Sequence, residues 1–208
     1  MPTLRLASPP TTQAVLLNEA KAHLRVDTTD DDALIAALIS AATDALYYLN
    51  RTIVPCQWEL DLPSFSDEII LPRPPLIAVS SVIYRDPANV QQTLPASVYD
   101  VVTDSEGFGY VRLAYGQSWP DVRSGGEPVT IRYDAGYDAP PPPIKAAIML
   151  RVARLYELRD AASLAPRLRA ETNEGINRFE YAVSSAGASE AVSEAEDHLL
   201  FRYLARSP

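Results

Sequence analysis

Lysine is nearly missing from this sequence: Lys21 and Lys145 are the only two in 208 residues, and no block of Lys and Arg occurs anywhere. Nucleic-acid-binding modules carry a basic patch that neutralises phosphates, so that class is disfavoured, and so is an anionic membrane surface. The net charge of −9 and the sequence pI near 4.7 point the same way, because such a surface repels phosphate backbones. Histidine is as scarce. His23 and His198 lie near opposite ends of the chain, which almost excludes a multi-histidine metal site or a histidine-based triad. Cys56 is the single cysteine. No intrachain disulfide can form, which fits synthesis in a reducing cytoplasm. Without an activating signature around it, Cys56 reads as a small hydrophobe at the start of a strand. Met1 to Thr12 lacks a charged-then-apolar signal pattern. No apolar run approaches the roughly 18 residues that cross a bilayer, so the chain is expected to be soluble, with no membrane partner.

What is present supports a folded core. Apolar residues make up 47% and charged residues 22%, which suits a soluble globular chain and argues against wholesale disorder. The 18 prolines exceed the average share of roughly 5%, and they cluster at 9–10, 72–75 and 140–143, where they punctuate the chain. Residues 1–13 read as an extended N-terminal arm. A short helix is predicted at about 18–26, with Asn18 as its N-cap and Glu19 at the positive end of the dipole. A second is predicted at about 29–50. Thr29 or Asp30 caps it, and Asp31 and Asp32 occupy the first turn. Leu34, Ile35, Leu38, Ile39, Ala42 and Leu46 form its apolar stripe. Asn50-Arg51 marks its exit, and Pro55 prevents continuation.

From about 56 to 134 the period changes to two. Gln57 to Leu62 alternates polar and apolar, and short β-rich runs follow at 68–71, 79–85, 93–94, 99–102, 109–113 and 128–133. Pro143 can open a third helix to about 161, striped by Ile144, Ile148, Val152 and Leu155. The expected class is therefore α+β. A helical bundle (about 18–26, 29–50 and 143–161) lies beside a small antiparallel β-sheet (about 56–134). An extended N-terminal arm and a C-terminal tail helix complete it. The expected organisation is an arm at 1–13, a main domain at 14–161 and a C-terminal extension at 162–208. Within that extension, 161–193 reads as mobile or partner-dependent.

Candidate chemistry is thin. Asp27, Asp30, Asp31 and Asp32 lack the alternation and the closing Glu of a calcium loop, and a dipole-matched helix start explains them. Asp100, Asp104 and Glu106 read as exposed strand-end acids rather than paired catalytic carboxylates. Gly107-Phe108-Gly109 and Ser124-Gly125-Gly126 are turns, since no Lys-Ser/Thr pair follows to hold a phosphate. Trp58, Trp119 and the eleven tyrosines, with no basic cluster among them, read as core and interface anchors. No catalytic residue, cofactor or metal site is assigned. The one candidate binding element is the apolar cluster Leu199, Leu200, Phe201, Tyr203 and Leu204. It follows a polar, breakable stretch and reads as an amphipathic anchor for a partner groove, with docking on its own domain as the alternative.

Several segments, in order, resemble the phage head-tail connector (adaptor) family. They are Leu17-Asn18-Glu19-Ala20-Lys21-Ala22-His23-Leu24-Arg25-Val26-Asp27, the acidic step Asp30-Asp31-Asp32-Ala33-Leu34-Ile35, and the segment Leu71-Pro72-Arg73-Pro74-Pro75-Leu76-Ile77-Ala78-Val79-Ser80-Ser81-Val82. Tyr133-Asp134-Ala135-Gly136-Tyr137, Pro143-Ile144-Lys145-Ala146-Ala147 and Leu155-Tyr156-Glu157 complete the set. The resemblance implies an α+β virion structural protein. It also implies a homo-oligomeric ring of about a dozen copies, a dodecamer, closed by head-to-tail contacts. Such a ring binds the portal protein, receives a stopper or tail-terminator protein, and lets DNA pass without specific binding. Synthesis in a bacterial host and residence at the head-tail interface are implied too, whether in a phage, a prophage remnant or a gene transfer agent. The cluster 199–204 is the segment expected to reach the portal. An acid-rich lumen would keep DNA from sticking. Two other readings stay open. One is a non-structural assembly factor that leaves the finished particle. The other is a carbohydrate-active or carbohydrate-binding β-rich domain, expected as a monomer with a concave pocket. If the terminal cluster is an anchor, changing Leu200 and Phe201 together to Asp weakens portal attachment and leaves the circular dichroism spectrum intact; global unfolding would assign the cluster to the core.

Overall fold

The computed structural model describes residues 2–164 and 194–204, with side chains up to Arg159 and from Glu194. The expected region 162–193 therefore lies almost wholly outside the described residues. The class is α+β, with two antiparallel sheets rather than the single sheet expected. The chain divides into two compact units: a β unit of residues 1–14, 47–140 and 203–208, and a helical unit of residues 15–46 and 141–202.

The β unit contains β1 (Thr3–Ser8), β2 (Cys56–Leu62), β3 (Glu68–Leu71), β4 (Leu76–Arg85), β5 (Gln91–Thr93), β6 (Tyr99–Thr103), β7 (Gly109–Leu113) and β8 (Val129–Ala135). One sheet has the order β1-β2-β8-β4-β5 and the other β3-β7-β6. The predicted strands fall within a few residues of those observed. The exception is β1, which falls in the expected extended arm and was not expected as a strand. Its backbone instead pairs with β2, from Thr3 opposite Asp61 to Ser8 opposite Gln57.

Alternation builds the core of this unit. On β8, Val129, Ile131, Tyr133 and Ala135 are buried, while Thr130, Arg132 and Asp134 take the other face. Register places Leu62, Leu60 and Trp58 of β2 opposite Val129, Ile131 and Tyr133. Ile69, Leu71 and Val111 of the smaller sheet join the same cluster, so both sheets share one apolar interior. The opposite face of β8 is polar: Arg132 pairs with Glu59 at 2.5 Å, Thr130 donates to Asp61 at 2.6 Å, and Ser80 donates to Asp134 at 2.6 Å. Trp119 stacks on Phe65 with ring centroids 4.6 Å apart, as befits an aromatic packed into a core rather than a bare stacking surface.

The proline run between β3 and β4 organises this unit. Proline has no N–H, so Pro72, Pro74 and Pro75 can offer the backbone only acceptors. Every carbonyl from 72 to 75 finds a donor. The Tyr133 hydroxyl donates to Pro72 at 2.7 Å, and the Thr52 hydroxyl donates to Arg73 at 3.0 Å. The Thr52 and Gly136 N–H groups donate to Pro74 and Pro75 at 3.0 and 2.9 Å. Arg73 is buried, with its guanidinium 3.6 Å from the Tyr47 ring centroid and a hydrogen bond to the Tyr47 carbonyl.

The helical unit contains α1 (Leu17–Leu24), α2 (Asp32–Asp44), α3 (Pro142–Leu164) and α4, whose described part covers 194–200. Helix α1 begins before the expected cap. Leu16 is the N-cap, its N–H donates to Glu19 at 3.0 Å, and Asn18 instead accepts from the Glu19 N–H at 2.9 Å. Helix α2 starts at 32 rather than 29. From Ala45 to Leu49 the chain tightens into a 3-10 helix instead of continuing as an α-helix to 50. Asp31 does not cap through its side chain. Its carboxylate accepts from Tyr156 at 2.5 Å and Arg159 at 2.8 Å on α3, and those bonds hold it below the usual carboxylate range. Asp32 pairs with Lys21 and Glu19 with Lys145, so both lysines of the chain link helices. The packing of α2 against α3 anticipated from their stripes is present, and α1 touches both. Ile35, Ile39, Ala42 and Leu46 are buried on α2 and its extension, and Ile144, Ala147, Ile148 and Val152 on α3.

Asp32–Leu49 spans 18 residues at mean hydropathy 1.3, enough by length and composition to cross a bilayer. This corrects the expectation that no stretch comes near that length. The burial within the helical unit is one-sided at 35, 39, 42 and 46, the spacing of a helix packed by one face.

Gly136 has φ +132, and a Cβ there would lie 2.6 Å from the Pro55 nitrogen; at Gly116, φ +75, a Cβ would meet nothing within 4 Å. Gly136→Ala is expected to cost more than the roughly 1 kcal/mol of left-handed strain that Gly116→Ala incurs. Urea midpoints of the two variants compare them directly, and equal shifts would show that the Pro55 contact yields freely.

Candidate partner-binding site

The terminal cluster is not uniformly exposed. Leu200, the last residue of α4, is 1% exposed, whereas Phe201 is 75% and Leu204 47% exposed. Leu199 and Tyr203 are half-buried. The five residues expected to act together are thus divided: Leu200 belongs to the protein's own interior, and Phe201 and Leu204 face solvent. The division arises because the helical period of α4 turns Leu200 inward while the 3-10 turn Phe201–Tyr203 swings the following side chains out. An Asp at 200 would therefore test burial as well as binding.

Two arginines hold this segment, and sequence reasoning identified neither as functional. In the helical unit, Arg151 of α3 donates to Glu196 of α4 at 2.6 Å. Glu196 is 3% exposed, and its second carboxylate oxygen has no partner among the described residues. In the β unit, Arg51 donates through Nε to the Tyr203 carbonyl at 2.7 Å and through Nη1 to the Glu106 carbonyl at 2.8 Å. The Tyr137 hydroxyl lies 3.5 Å from the same Nη1. Arg51 is 9% exposed and lies at the position the sequence reading gave to a helix exit. Its guanidinium gathers acceptors from residues 203, 106 and 137, which are far apart in the chain. A single Arg in a polar dipeptide carries no sequence signal for such a role.

Candidate catalytic groups are dispersed or occupied. Asp104 closes the β6–β7 turn. Burial alone would raise its pKa, but it accepts from the Phe108 and Glu106 N–H groups and the Tyr110 hydroxyl, and those bonds win, holding it low. Asp100 lies on β6, opposite Arg112. Burial pushes the Cys56 thiol up to about 11, which suppresses the thiolate a nucleophile needs. Among the described residues, no group of three or more His, Cys, Asp and Glu could hold a metal ion. His23 and His198 are both exposed.

The latched terminal segment, with Phe201 and Leu204 exposed, presents apolar surface of the kind that contacts other proteins. Residues 15–104 match the phage gp6-like head-tail connector protein family. The resemblance read from the ordered motifs is thereby shown for this part of the chain. It is a family of structural proteins, not a class of enzymes.

No curated protein matches the chain. Among solved structures, a chain in the neck of an empty GTA particle computed with C6 symmetry is similar with a TM-score of 0.69 and 22% identity. The match covers 99% of this chain and 97% of that one. A chain in the virion of a native gene transfer agent particle has a TM-score of 0.67 at 21% identity, again over 99% and 97%. A third, from the neck of a native GTA particle computed with C12 symmetry, has a TM-score of 0.63 at 19% identity, with the same coverage. At these identities the likeness establishes a shared fold.

Arg51→Met keeps the apolar stem and removes the donors, leaving the carbonyls of Tyr203 and Glu106 without their partner. A loss of about 2 kcal/mol or more is expected in urea unfolding. An unchanged midpoint would show that both carbonyls find equivalent donors without Arg51.

Proposed function

We propose that this protein is a structural neck subunit, a head-tail adaptor that assembles into a ring, attaches to a portal and joins it to the stopper or tail. The observation that carries the reading is a coincidence of two matches. The connector family profile covers 15–104, and the fold over nearly the whole chain is shared with chains from the necks of gene transfer agent particles. Those necks were computed with six-fold and twelve-fold symmetry, which supports a cyclic assembly of about a dozen copies here.

The physical character of the chain suits that task. A ring subunit needs complementary surfaces rather than a reactive centre. The net charge of −9 suits the wall of a conduit through which DNA must slide without adhering. In this reading acidic residues line the lumen. Phe201 and Leu204 supply the apolar contacts to the portal. Arg51 and Arg151 hold the segment that presents them, so less ordering entropy is lost on docking. The virion is then its place of work.

Electron microscopy of the purified chain, alone and mixed with the portal of the same particle, tests the proposal. Rings and ring–portal complexes are the expected outcome. Phe201→Asp with Leu204→Asp should lower portal affinity by 10-fold or more, roughly the effect of losing a hot-spot contact, with an unchanged urea midpoint. A protein that stays a single chain at all concentrations, with or without portal, would overturn the proposal.

A further inference from the structure

Strand β1 is weakly integrated into the sheet that it completes. Of Thr3–Ser8, only Leu4 is partly buried; the other five residues are exposed, Leu6 at 48%. The strand lies at the sheet edge and pairs with β2 alone. What holds it is a backbone ladder, the single side chain of Leu4 packed against the core, and a small set of polar contacts. Arg5 reaches Asp61 at 2.7 Å and Glu59 at 3.1 Å, and the Thr3 hydroxyl donates to Glu127 at 2.8 Å. The seat is acidic and the strand carries the matching cation.

The covalent path adds to this. After Ala14 the chain leaves the β unit for the helical unit and returns only at Tyr47. No short turn ties β1 to its partner strand. Its tether is the stretch from Pro9 to Ala14, stiffened by Pro9 and Pro10. A terminal strand that buries little, is recognised by backbone and charge, and hangs from a stiff tether can occupy the same seat on another copy with identical contacts. Exchange of this kind is a low-cost route to closed assemblies, and a one-directional exchange generates a ring.

We propose that in the assembled ring Thr3–Ser8 adds to the β2 edge of the neighbouring copy, so that each subunit donates one strand and accepts one. The inference rests on the ring reading above. The partner is a second copy of this chain, and the specific contact is Arg5 of one copy against Glu59 and Asp61 of the next. Because cis and trans contacts are the same, exchange adds little pairwise affinity. It adds connectivity, since no copy can leave without unpairing two strands.

The test uses the full chain with Cys56→Ser, Ser8→Cys and Gln57→Cys, two positions in register across β1 and β2. A short bis-maleimide is applied to ring and single-chain fractions separated by size, and the products are run on a denaturing gel. The expected result is an intrachain link in the single-chain fraction and a ladder of multiples in the ring fraction. Arg5→Glu in the same background should abolish the ladder. Rings that give only the single-chain band would overturn strand exchange and leave the adaptor reading standing. A chain that forms no rings removes both, and size separation alone reveals that case.

Discussion

The β unit depends on a stretch of backbone that can only accept hydrogen bonds. Three prolines between Leu71 and Leu76 remove three N–H groups and leave a row of carbonyls facing the interior. Each buried carbonyl left unpaired would cost on the order of 1–3 kcal/mol, so the surrounding chain has to bring donors to it. Thr52 brings two, from its hydroxyl and its amide, Gly136 brings an amide, and Tyr133 brings a phenol from the central strand β8. These donors come from two places in the chain, Thr52 ahead of β2 and the end of β8 with the residue after it, so meeting the demand of the proline run also ties those two places to the β3–β4 connection. Glycines complete the arrangement by close approach. Gly107 and Gly109 sit against Pro75 and Leu76, where a side chain would collide.

The helical unit is held differently. Apolar stripes on α2 and α3 supply the burial, and ion pairs link each helix to the others. Lys21 with Asp32 links α1 to α2, Glu19 with Lys145 links α1 to α3, and Asp31 with Arg159 and Tyr156 links α2 to α3. Each exposed pair contributes little to stability on its own. Their arrangement matters more, because a mispaired register would bring like charges together. A chain with so few lysines uses both of them here, which leaves its outer surface to acids and arginine.

Much of this was legible beforehand because local rules decide it. Alternation in Gln57–Leu62 and in 128–133 marked strands, and the spacing of Ile35, Ile39, Ala42 and Leu46 marked a helix face. Both periods follow directly from backbone geometry. The errors lay where a distant partner outbids a local preference. Thr3–Ser8 reads as an extended arm rather than a strand because nothing near it in sequence says that β2 offers an edge. Asp31 does stand at the helix start, but its side-chain partners, Tyr156 and Arg159, are more than a hundred residues away and leave no local sign. The different burial of Leu200, Phe201 and Leu204 was not legible, because composition does not say where a helix ends and the next turn rotates its side chains. Arg51 was passed over because its neighbours carry no motif, although its guanidinium ties residues 106, 137 and 203 together.

The amino-acid order alone determined the α+β class, the approximate bounds of seven of the eight strands and three of the helices, and the connector resemblance, since each depends on contacts or periods within a few residues. Tertiary structure decided the division into two sheets, the docking of the first strand, the burial of Leu200 against the exposure of Phe201 and Leu204, and the place of each buried arginine. Those outcomes depend on which remote donor, acceptor or charge reaches a site first and fits it. Pairing free energy of that kind is a property of spatial neighbours, and a linear chain does not display its neighbours until it has folded.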